Sequence, residues 1–231
     1  MQVSAIIPTY NEAANIGKMI RHLRQCGDQY LSELIVVDGG SQDQTVTIAQ
    51  EAGATVLQSP SKGRAAQMNY GAQQSSGELL YFVHADNFPP NCYMEEVQRA
   101  VQEGYPMGCF RFRFDSPSFW LKINTWFSQF NRLWCRGGDQ TLFITRDLFD
   151  RLGGYPSDYL IMEEYKLLEE AKAQDIPFRI IPKYVLGSAR KYETNSYLRV
   201  QIANLIVFNM YRWGASQERM VNAYRRLLDY R

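Results

Sequence analysis

Polar residues that could bind a ligand follow each of the first four apolar runs of the chain. They are Pro8-Thr9-Tyr10-Asn11-Glu12, Asp38-Gly39-Gly40-Ser41-Gln42-Asp43, Ser61-Lys62-Gly63-Arg64 and His84-Ala85-Asp86-Asn87. Any one of these segments has the composition of an ordinary turn. Four of them at the ends of neighbouring strands favour a ligand site over four independent turns.

The residue types in these segments suit a nucleotide carrying a diphosphate. A carboxylate at a strand end, such as Asp38, is a strong and fixed acceptor for a base or a sugar. Gly39 and Gly40 allow the backbone to approach a flat ring closely. Gly63 and Arg64 open a predicted helix, whose free N–H groups and guanidinium both suit a diphosphate.

Asp86 is the candidate metal ligand. Mg²⁺ and Mn²⁺ are usually held by one or two carboxylates together with substrate phosphates. The chain has no G-x-G-x-x-G after its first apolar run and no Walker A sequence, so the ordinary dinucleotide and P-loop sites lack their main evidence. The pattern favours a nucleotide diphosphate held through a divalent cation.

Short apolar runs that alternate with helical patterns must position these segments. Strands are predicted at residues 3–7, 34–37, 55–57 and 79–83, with helices at 16–27, from Ser41 or Asp43 to Ala52, and at 65–74. Alternation at this pitch predicts an α/β fold with a mostly parallel sheet and helices on both faces. The carboxyl ends of parallel strands meet at one edge, which is where ligands bind in such sheets.

The second half of the chain changes character. Strands are predicted at 110–114, 140–145 and 178–181, with a helix at 163–174 and a helical tail over 195–230 that breaks at 213–216. Aromatic residues between 119 and 134 recur at helical spacing and predict a core stripe. An exposed part of that stripe, or of 198–211, would instead meet a lipid surface or a second subunit.

Composition narrows the class of protein. A chain of 231 residues with 25 Lys and Arg, 24 Asp and Glu and a net charge of +1 argues for one domain and against nucleic-acid binding. The four scattered cysteines predict neither a zinc cage nor a disulfide framework, which favours a reducing, cytoplasmic setting. The N-terminus is not typical of a signal peptide, and residues 198–211 contain too many polar groups to span a bilayer.

Five segments in order, IIPTYNE, IVVDGGSQDQT, SKGRAAQMNYG, LLYFVHADN and MEEYKLLEEA, resemble glycosyltransferase family 2, whose members have the GT-A fold. The resemblance covers residues 3–190. The finer pattern of HAD, GGDQTLFITRDLFDRLGGYP, MEE and SARKYE is similar to the subgroup associated with arsenosugar biosynthesis.

The resemblance implies an inverting transfer of a sugar from a nucleotide-diphosphate donor to an acceptor hydroxyl, with Mg²⁺ or Mn²⁺ on the diphosphate. Asp86 would ligate the metal, and Glu164, with Glu163 beside it, would be the catalytic base. The implied donor-binding residues are Pro8, Tyr10, Asn11, Glu12, Asp38, Gly40, Ser41, Gly63, Arg64, His84, Ala85 and Asp86. His84, Gly39 and Glu164 depart from the family pattern, in which Asp is usual at all three positions.

The acceptor, a small molecule or a lipid, is predicted to meet the second half of the chain. Its candidate contacts are Arg111, Arg113, Asp139, Gln140 and Arg190. The chain would then divide into a nucleotide-binding half (1–103), an acceptor and catalytic half (104–193) and C-terminal helices (194–231). Two rival functions share this fold: a sugar-phosphate nucleotidyltransferase, and a binding scaffold that keeps the nucleotide pocket without the chemistry.

Overall fold

The architecture was analysed in a computed structural model that describes residues 1–27, 30–136 and 140–229. Within these residues one sheet has eight strands in the order β3-β2-β1-β4-β7-β6-β8-β5. The strands are β1 (Val3–Thr9), β2 (Leu31–Asp38), β3 (Thr55–Gln58), β4 (Leu79–Phe82), β5 (Asn87–Phe88), β6 (Met107–Phe114), β7 (Leu142–Thr145) and β8 (Phe178–Gly187). The first four are parallel, whereas β7 runs antiparallel to β4 and β6. The predicted α/β fold is confirmed.

Helices cover both faces of the sheet. They are α1 (Ile16–Gly27), α2 (Thr45–Glu51), α3 (Arg64–Gln73), α4 (Tyr93–Gln102), α5 (Phe119–Phe127), α6 (Arg146–Arg151), α7 (Glu163–Ala173), α8 (Lys191–Thr194), α9 (Tyr197–Arg212) and α10 (Gln217–Leu227). The prediction that Ser41 or Asp43 caps α2 is wrong, because Gln44 is the N-cap residue. The Asp43 carboxylate instead accepts the Thr45 N–H at 3.0 Å, and so still satisfies a donor at the helix start.

Alternation along β1 explains why the sheet has a core on each side. Ala5 and Ile7 point into one cluster with α1 and α4, while Ile6 points into the other with α3, α6 and α7. Successive side chains on a strand face opposite ways, so a strand covered on both faces must be apolar throughout. The same reasoning accounts for the four buried residues of β4.

The pairing of β6 with β8 contains an irregularity that shifts the register of the two strands part-way along. Phe110 pairs with Ile181, but the next residue, Arg111, pairs with Tyr184. The skipped residues of β8 include Pro182, which has no N–H to donate to a neighbouring strand. A bulge at a proline is the expected solution.

The aromatic stripe at 119–134 is not part of the core, so that prediction is wrong. Only Leu121 of α5 is buried, and five of the six large rings of the segment are exposed, Phe127 being partly buried. Helical spacing shows that residues share a face without showing which way the face points. No helix in the described part of the chain is long and apolar enough to cross a bilayer.

Candidate active site

The candidate site lies where the direction of the strand connections reverses. Strand β1 lies between β2 and β4, so the chain moves outward to β2 and β3 and then returns to the other side of β1. In open α/β sheets this reversal leaves a crevice at the carboxyl ends of the two adjacent strands. Glu12 follows β1 and Asp86 follows β4, so both acids belong to this crevice.

The loop after β2 is organised by Asp38. Its buried carboxylate accepts the N–H groups of Gly40 and Ser41, both at 2.9 Å, and the Ser41 hydroxyl at 2.5 Å. Gly40 has a φ of +93°, which a residue with a side chain rarely adopts. Asp38 therefore shapes the loop through its own hydrogen bonds, and its predicted contact with a nucleoside stays a prediction.

The loop after β1 is fastened to the loop after β2. Asn11 donates its N–H to Ser41 Oγ at 2.8 Å, and its side-chain oxygen accepts the Gln42 N–H at 2.8 Å. Glu12 donates its N–H to Thr45 Oγ1 at 2.8 Å. Asn11 has a φ of 55°, a strained conformation that these bonds hold in place. The Glu12 carboxylate is thereby held at the mouth of the crevice.

Arg190 joins the two acids of the crevice. One of its terminal nitrogens lies 2.7 Å from Glu12 Oε1 and 3.1 Å from Asp86 Oδ2. The hydrogen bond with Glu12 raises the pKa of Arg190 further above its ordinary value, so the side chain is always a cation. Arg190, predicted on the acceptor side, thus lies against the residues predicted to bind the donor.

The carboxylates of Glu12 and Asp86 suit a divalent cation that takes its remaining ligands from a substrate. Glu12 and Asp86 already hold one positive group between them, so the crevice favours positive charge. Among the described residues there is no group of three or more His, Cys, Asp or Glu side chains that could hold a metal. The two carboxylates of Glu12 and Asp86 match Mg²⁺ or Mn²⁺, which take a few carboxylates and complete their shell with phosphate and water.

An ion pair with a buried carboxylate links the start of α3 to the start of α7. Gly63 precedes α3 with a φ of +116°, and Arg64 Nε lies 2.9 Å from Glu163 Oε1. The Glu163 side chain has no exposed area, whereas that of Arg64 is 40% exposed. One turn further along α3, Gln67 donates to the carbonyls of Thr9 and Val37. Helix α3 therefore places Arg64 and Glu163 at the same edge of the sheet as the crevice.

Glu164 shares this acidic region with Tyr155. Burial raises the pKa of the Tyr155 hydroxyl well above its ordinary value, and the negative charges of Glu164 and then Glu163 raise it further. Met162, directly before the two acids, has a φ of 62° in the left-handed region. Strain of this kind persists only where the surrounding structure holds it, and it is commonest at functional sites.

A family comparison decides the class of protein. The model of glycosyl transferase family 2 matches residues 4–152, well over half of the chain. The chain belongs to this family. The matched range contains the loops that follow β1, β2, β3 and β4, and hence both Glu12 and Asp86.

Two curated relatives of this family 2 chain illustrate the similarity. Glycosyltransferase AglE of Haloferax volcanii is 37% identical over 100 residues, which is 40% of this chain and 33% of AglE. An undecaprenyl-phosphate 4-deoxy-4-formamido-L-arabinose transferase of Pseudomonas paraeruginosa is 32% identical over 115 residues, or 45% of this chain and 33% of the relative. The matches thus span about a third of the length of these relatives.

A solved structure shows the same fold. Glucosyl-3-phosphoglycerate synthase from Mycobacterium tuberculosis, in complex with Mn²⁺, UDP and glucosyl-3-phosphoglycerate, superposes with a TM-score of 0.65 at 18% identity. The superposition covers 93% of this chain and 80% of that one. The GT-A fold expected for a family 2 chain is therefore confirmed.

The remaining predicted site residues of this family 2 chain are distributed as follows. Pro8 and Ala85 are buried, so they can offer a ligand little beyond backbone atoms, while Tyr10 is exposed at the rim. The carbonyl of His84 accepts the Asn87 N–H at 3.1 Å in the turn that carries Asp86.

The predicted acceptor contacts lie on different elements of the second half of the chain. Arg111 and Arg113 lie on β6, opposite Tyr184 and Leu186 of β8. Gln140 donates to the Cys135 carbonyl at 3.3 Å, and Asp139 lies outside the described residues.

Three residues that organise the site were not singled out from the sequence. Gln67 and Tyr155 are buried polar groups on or near helices that otherwise face the core, and Thr45 accepts the bond that holds Glu12. A glutamine on the apolar face of a predicted helix is a usable signal, because buried amides need partners. Nothing in the local sequence marks Tyr155.

Replacing Arg64 by methionine is expected to destabilise the protein. The variant leaves the Glu163 carboxylate buried without its guanidinium partner, and such a loss costs about 3 kcal/mol. The measurement is urea unfolding followed by circular dichroism. The matched control is Arg179→Met, whose partner Glu103 is 44% exposed, so the loss of this pair costs about 1 kcal/mol or less. Equal losses of unfolding free energy in the two variants would show that the Arg64–Glu163 pair stabilises the protein no more than a surface pair does.

Proposed function

We propose that this family 2 chain transfers a sugar from a nucleotide-diphosphate sugar to an acceptor hydroxyl, with inversion at the anomeric carbon. The observation that carries the proposal is the pair of acids, Glu12 and Asp86, which the guanidinium of Arg190 joins at the switch point of the sheet. The acids Glu163 and Glu164 begin a helix tied to the same edge. This arrangement supports a donor diphosphate on one side and a base on the other.

Glu164 is the residue we assign as the base. It would accept the acceptor's hydroxyl proton while that oxygen attacks the anomeric carbon and the bond to the diphosphate breaks. Glu163 cannot share this role easily, because its buried carboxylate is held by Arg64. We assign Glu163 to positioning Arg64, whose exposed part would face the pyrophosphate of a bound donor.

Asp86, assisted by Glu12, would hold Mg²⁺ or Mn²⁺. When bound, the cation would neutralise the negative charge that develops on the departing diphosphate. Arg190 occupies the space between the two carboxylates and would have to move toward the diphosphate when the cation enters. Its guanidinium suits phosphate oxygens as well as carboxylates.

The relatives support classes of donor and acceptor without choosing among them. One solved neighbour holds UDP with Mn²⁺ beside a glucosylated phosphoglycerate, and one curated relative is named for undecaprenyl phosphate. A small phosphorylated acceptor and a lipid-linked acceptor therefore both stay in the proposal. The arsenosugar subgroup, the cytoplasmic location, the single-domain organisation and the absence of a nucleic-acid partner also stay predictions.

The proposal is tested with a panel of UDP-, GDP- and dTDP-linked sugars, with Mn²⁺ or with EDTA. We expect slow release of the nucleoside diphosphate from one donor with Mn²⁺, and loss of the release with EDTA. Proton NMR of the freed sugar, taken before mutarotation, should show the inverted anomer. Retention of configuration would refute the inverting mechanism.

The same panel separates the two rival functions. A nucleotidyltransferase would consume a nucleoside triphosphate and a sugar phosphate, and it would release pyrophosphate. A scaffold would bind nucleoside diphosphates in calorimetry without turnover of any donor. Either result would replace sugar transfer as the function.

A further inference from the structure

The four tryptophans of the chain are all on its surface. Trp120, Trp126 and Trp134 are 55%, 56% and 55% exposed, and Trp213 is 81% exposed. Tryptophan is highly buried on average in folded proteins, because its ring contributes a large apolar area. Exposure of all four is therefore a feature that needs an explanation.

Helix α9 adds an aliphatic stripe to this surface. Leu198, Ile202 and Leu205 are exposed at a spacing of four and then three residues, which places them on one side of the helix. The opposite side is buried through Val200, Ala203 and Val207. Helix α9 thus carries an exposed aliphatic stripe beside the polar Arg199 and Asn204, whereas a surface helix usually has a polar outer side.

Helices α5 and α9 adjoin each other. The rings of Trp120 and Tyr197 stack with centroids 5.6 Å apart, and Tyr197 donates its hydroxyl to Asn124 Oδ1 at 2.9 Å. The exposed rings of Phe119, Trp126, Phe130 and Trp134 continue from α5. We call the exposed apolar residues of 119–134 and 198–213 the aromatic face.

The two segments that form the aromatic face contain basic residues and no acidic ones. Residues 116–136 and 194–217 contain no Asp or Glu, although the chain as a whole has 24. Lys122, Arg132, Arg199 and Arg212 are exposed within them, and Arg199 pairs with Asp229 at 2.9 Å. Two copies of the chain that met through this face would bring like charges together, which disfavours a symmetric dimer. Anionic lipid headgroups would be attracted instead.

We propose that the aromatic face lies on the surface of an anionic lipid bilayer. Exposed Trp, Phe and Leu with flanking Lys and Arg is the composition of elements that rest in the headgroup region without crossing the membrane. Helix α9 also packs on α7, because Phe208 and Tyr211 contact the ring of Tyr165, the residue after Glu164. Docking would therefore hold the acidic end of α7 near the bilayer. The docking itself does not depend on the proposed sugar transfer.

Tryptophan fluorescence of the unaltered protein tests the proposal without donor or acceptor. Vesicles that contain phosphatidylglycerol should shift the emission to shorter wavelength, and brominated lipids in them should quench it. Vesicles of phosphatidylcholine alone should bind more weakly, by about fivefold for each of Lys122, Arg132 and Arg212 that contacts the surface. An unchanged spectrum with phosphatidylglycerol vesicles would overturn the proposal.

Variants locate the contact. Leu198→Gln with Leu205→Gln should reduce vesicle flotation at least tenfold, while Tyr184→Gln, at an exposed aromatic outside the face, should not. Lys122→Glu with Arg212→Glu should also reduce flotation. The matched charge control is Lys18→Glu with Arg151→Glu, on α1 and α6. This variant should keep most of the vesicle flotation.

Equal losses in the matched pairs would contradict the assignment to this face. A dimer in sedimentation that the Leu198 and Leu205 substitutions dissociate would also overturn the proposal, because the face would then be covered by a second copy. Vesicle binding by a protein that turns over no donor would support docking and refute only the proposed function.

Discussion

Glu164→Gln is expected to lower the turnover of the nucleotide-sugar donor about a thousandfold, because an amide cannot accept the proton that the carboxylate would take. Glutamine keeps the size of the side chain, so the helix start and the Arg64–Glu163 ion pair should be preserved. Donor binding, measured by calorimetry with Mn²⁺, should change less than about twofold if the residue acts in the chemical step alone. The measurement is the rate of nucleoside diphosphate release under saturating donor.

The control for this variant is Glu170→Gln on the same helix. Glu170 is partly exposed and pairs with Lys166 at 2.6 Å, so its neutralisation should leave turnover unchanged within about twofold. Glu163→Gln is a second comparison, since it removes the charge that faces Arg64. If Glu163→Gln abolished turnover while Glu164→Gln retained it, the roles of the two acids would be reversed.

Asp86→Asn is expected to remove the effect of Mn²⁺ on nucleoside diphosphate binding. In the unaltered protein Mn²⁺ should strengthen binding about a hundredfold, equal to about 2.7 kcal/mol, because the cation links the carboxylate to the phosphates. An amide oxygen is a much weaker ligand for such a cation than a carboxylate. Calorimetric titrations with and without Mn²⁺ measure both affinities directly, independently of turnover.

Asp150→Asn is the matched control, since Asp150 is exposed at the end of α6, away from the crevice. It should keep the full effect of Mn²⁺. If Asp86→Asn also kept that effect, Asp86 would not be a metal ligand, and Glu12 would be the next acid to examine. If EDTA left binding by the unaltered protein unchanged, the metal would have no part in donor binding.

The elements of the first half of the chain could be predicted from local sequence patterns. The first three strands and helices were placed because their apolar periodicities differ and each ends at a glycine or a polar turn. Parallel strands with short connections also bring their carboxyl ends to one edge, so the grouping of the first four loops followed from local patterns. Helix α4 was missed although Tyr93, Met94, Val97 and Ala100 have helical spacing.

The antiparallel position of β7 was beyond local patterns, because it depends on which strand edge remains available when the chain returns. The direction in which the aromatic face points also depended on tertiary packing. Helical spacing placed its residues together, and only the packing of α5 through Leu121 turned them outward.

Residue types and order alone determined the α/β fold class, the family resemblance and the acids available for chemistry, because these depend on short-range periodicity and on motifs. Tertiary structure alone decided which basic residues those acids contact. It joined Arg190 to Glu12 and Asp86 across 178 and 104 residues of chain, and Arg64 to Glu163 across 99. Pairs so distant in sequence leave no local signal, since their contact depends on how the whole sheet and its helices pack.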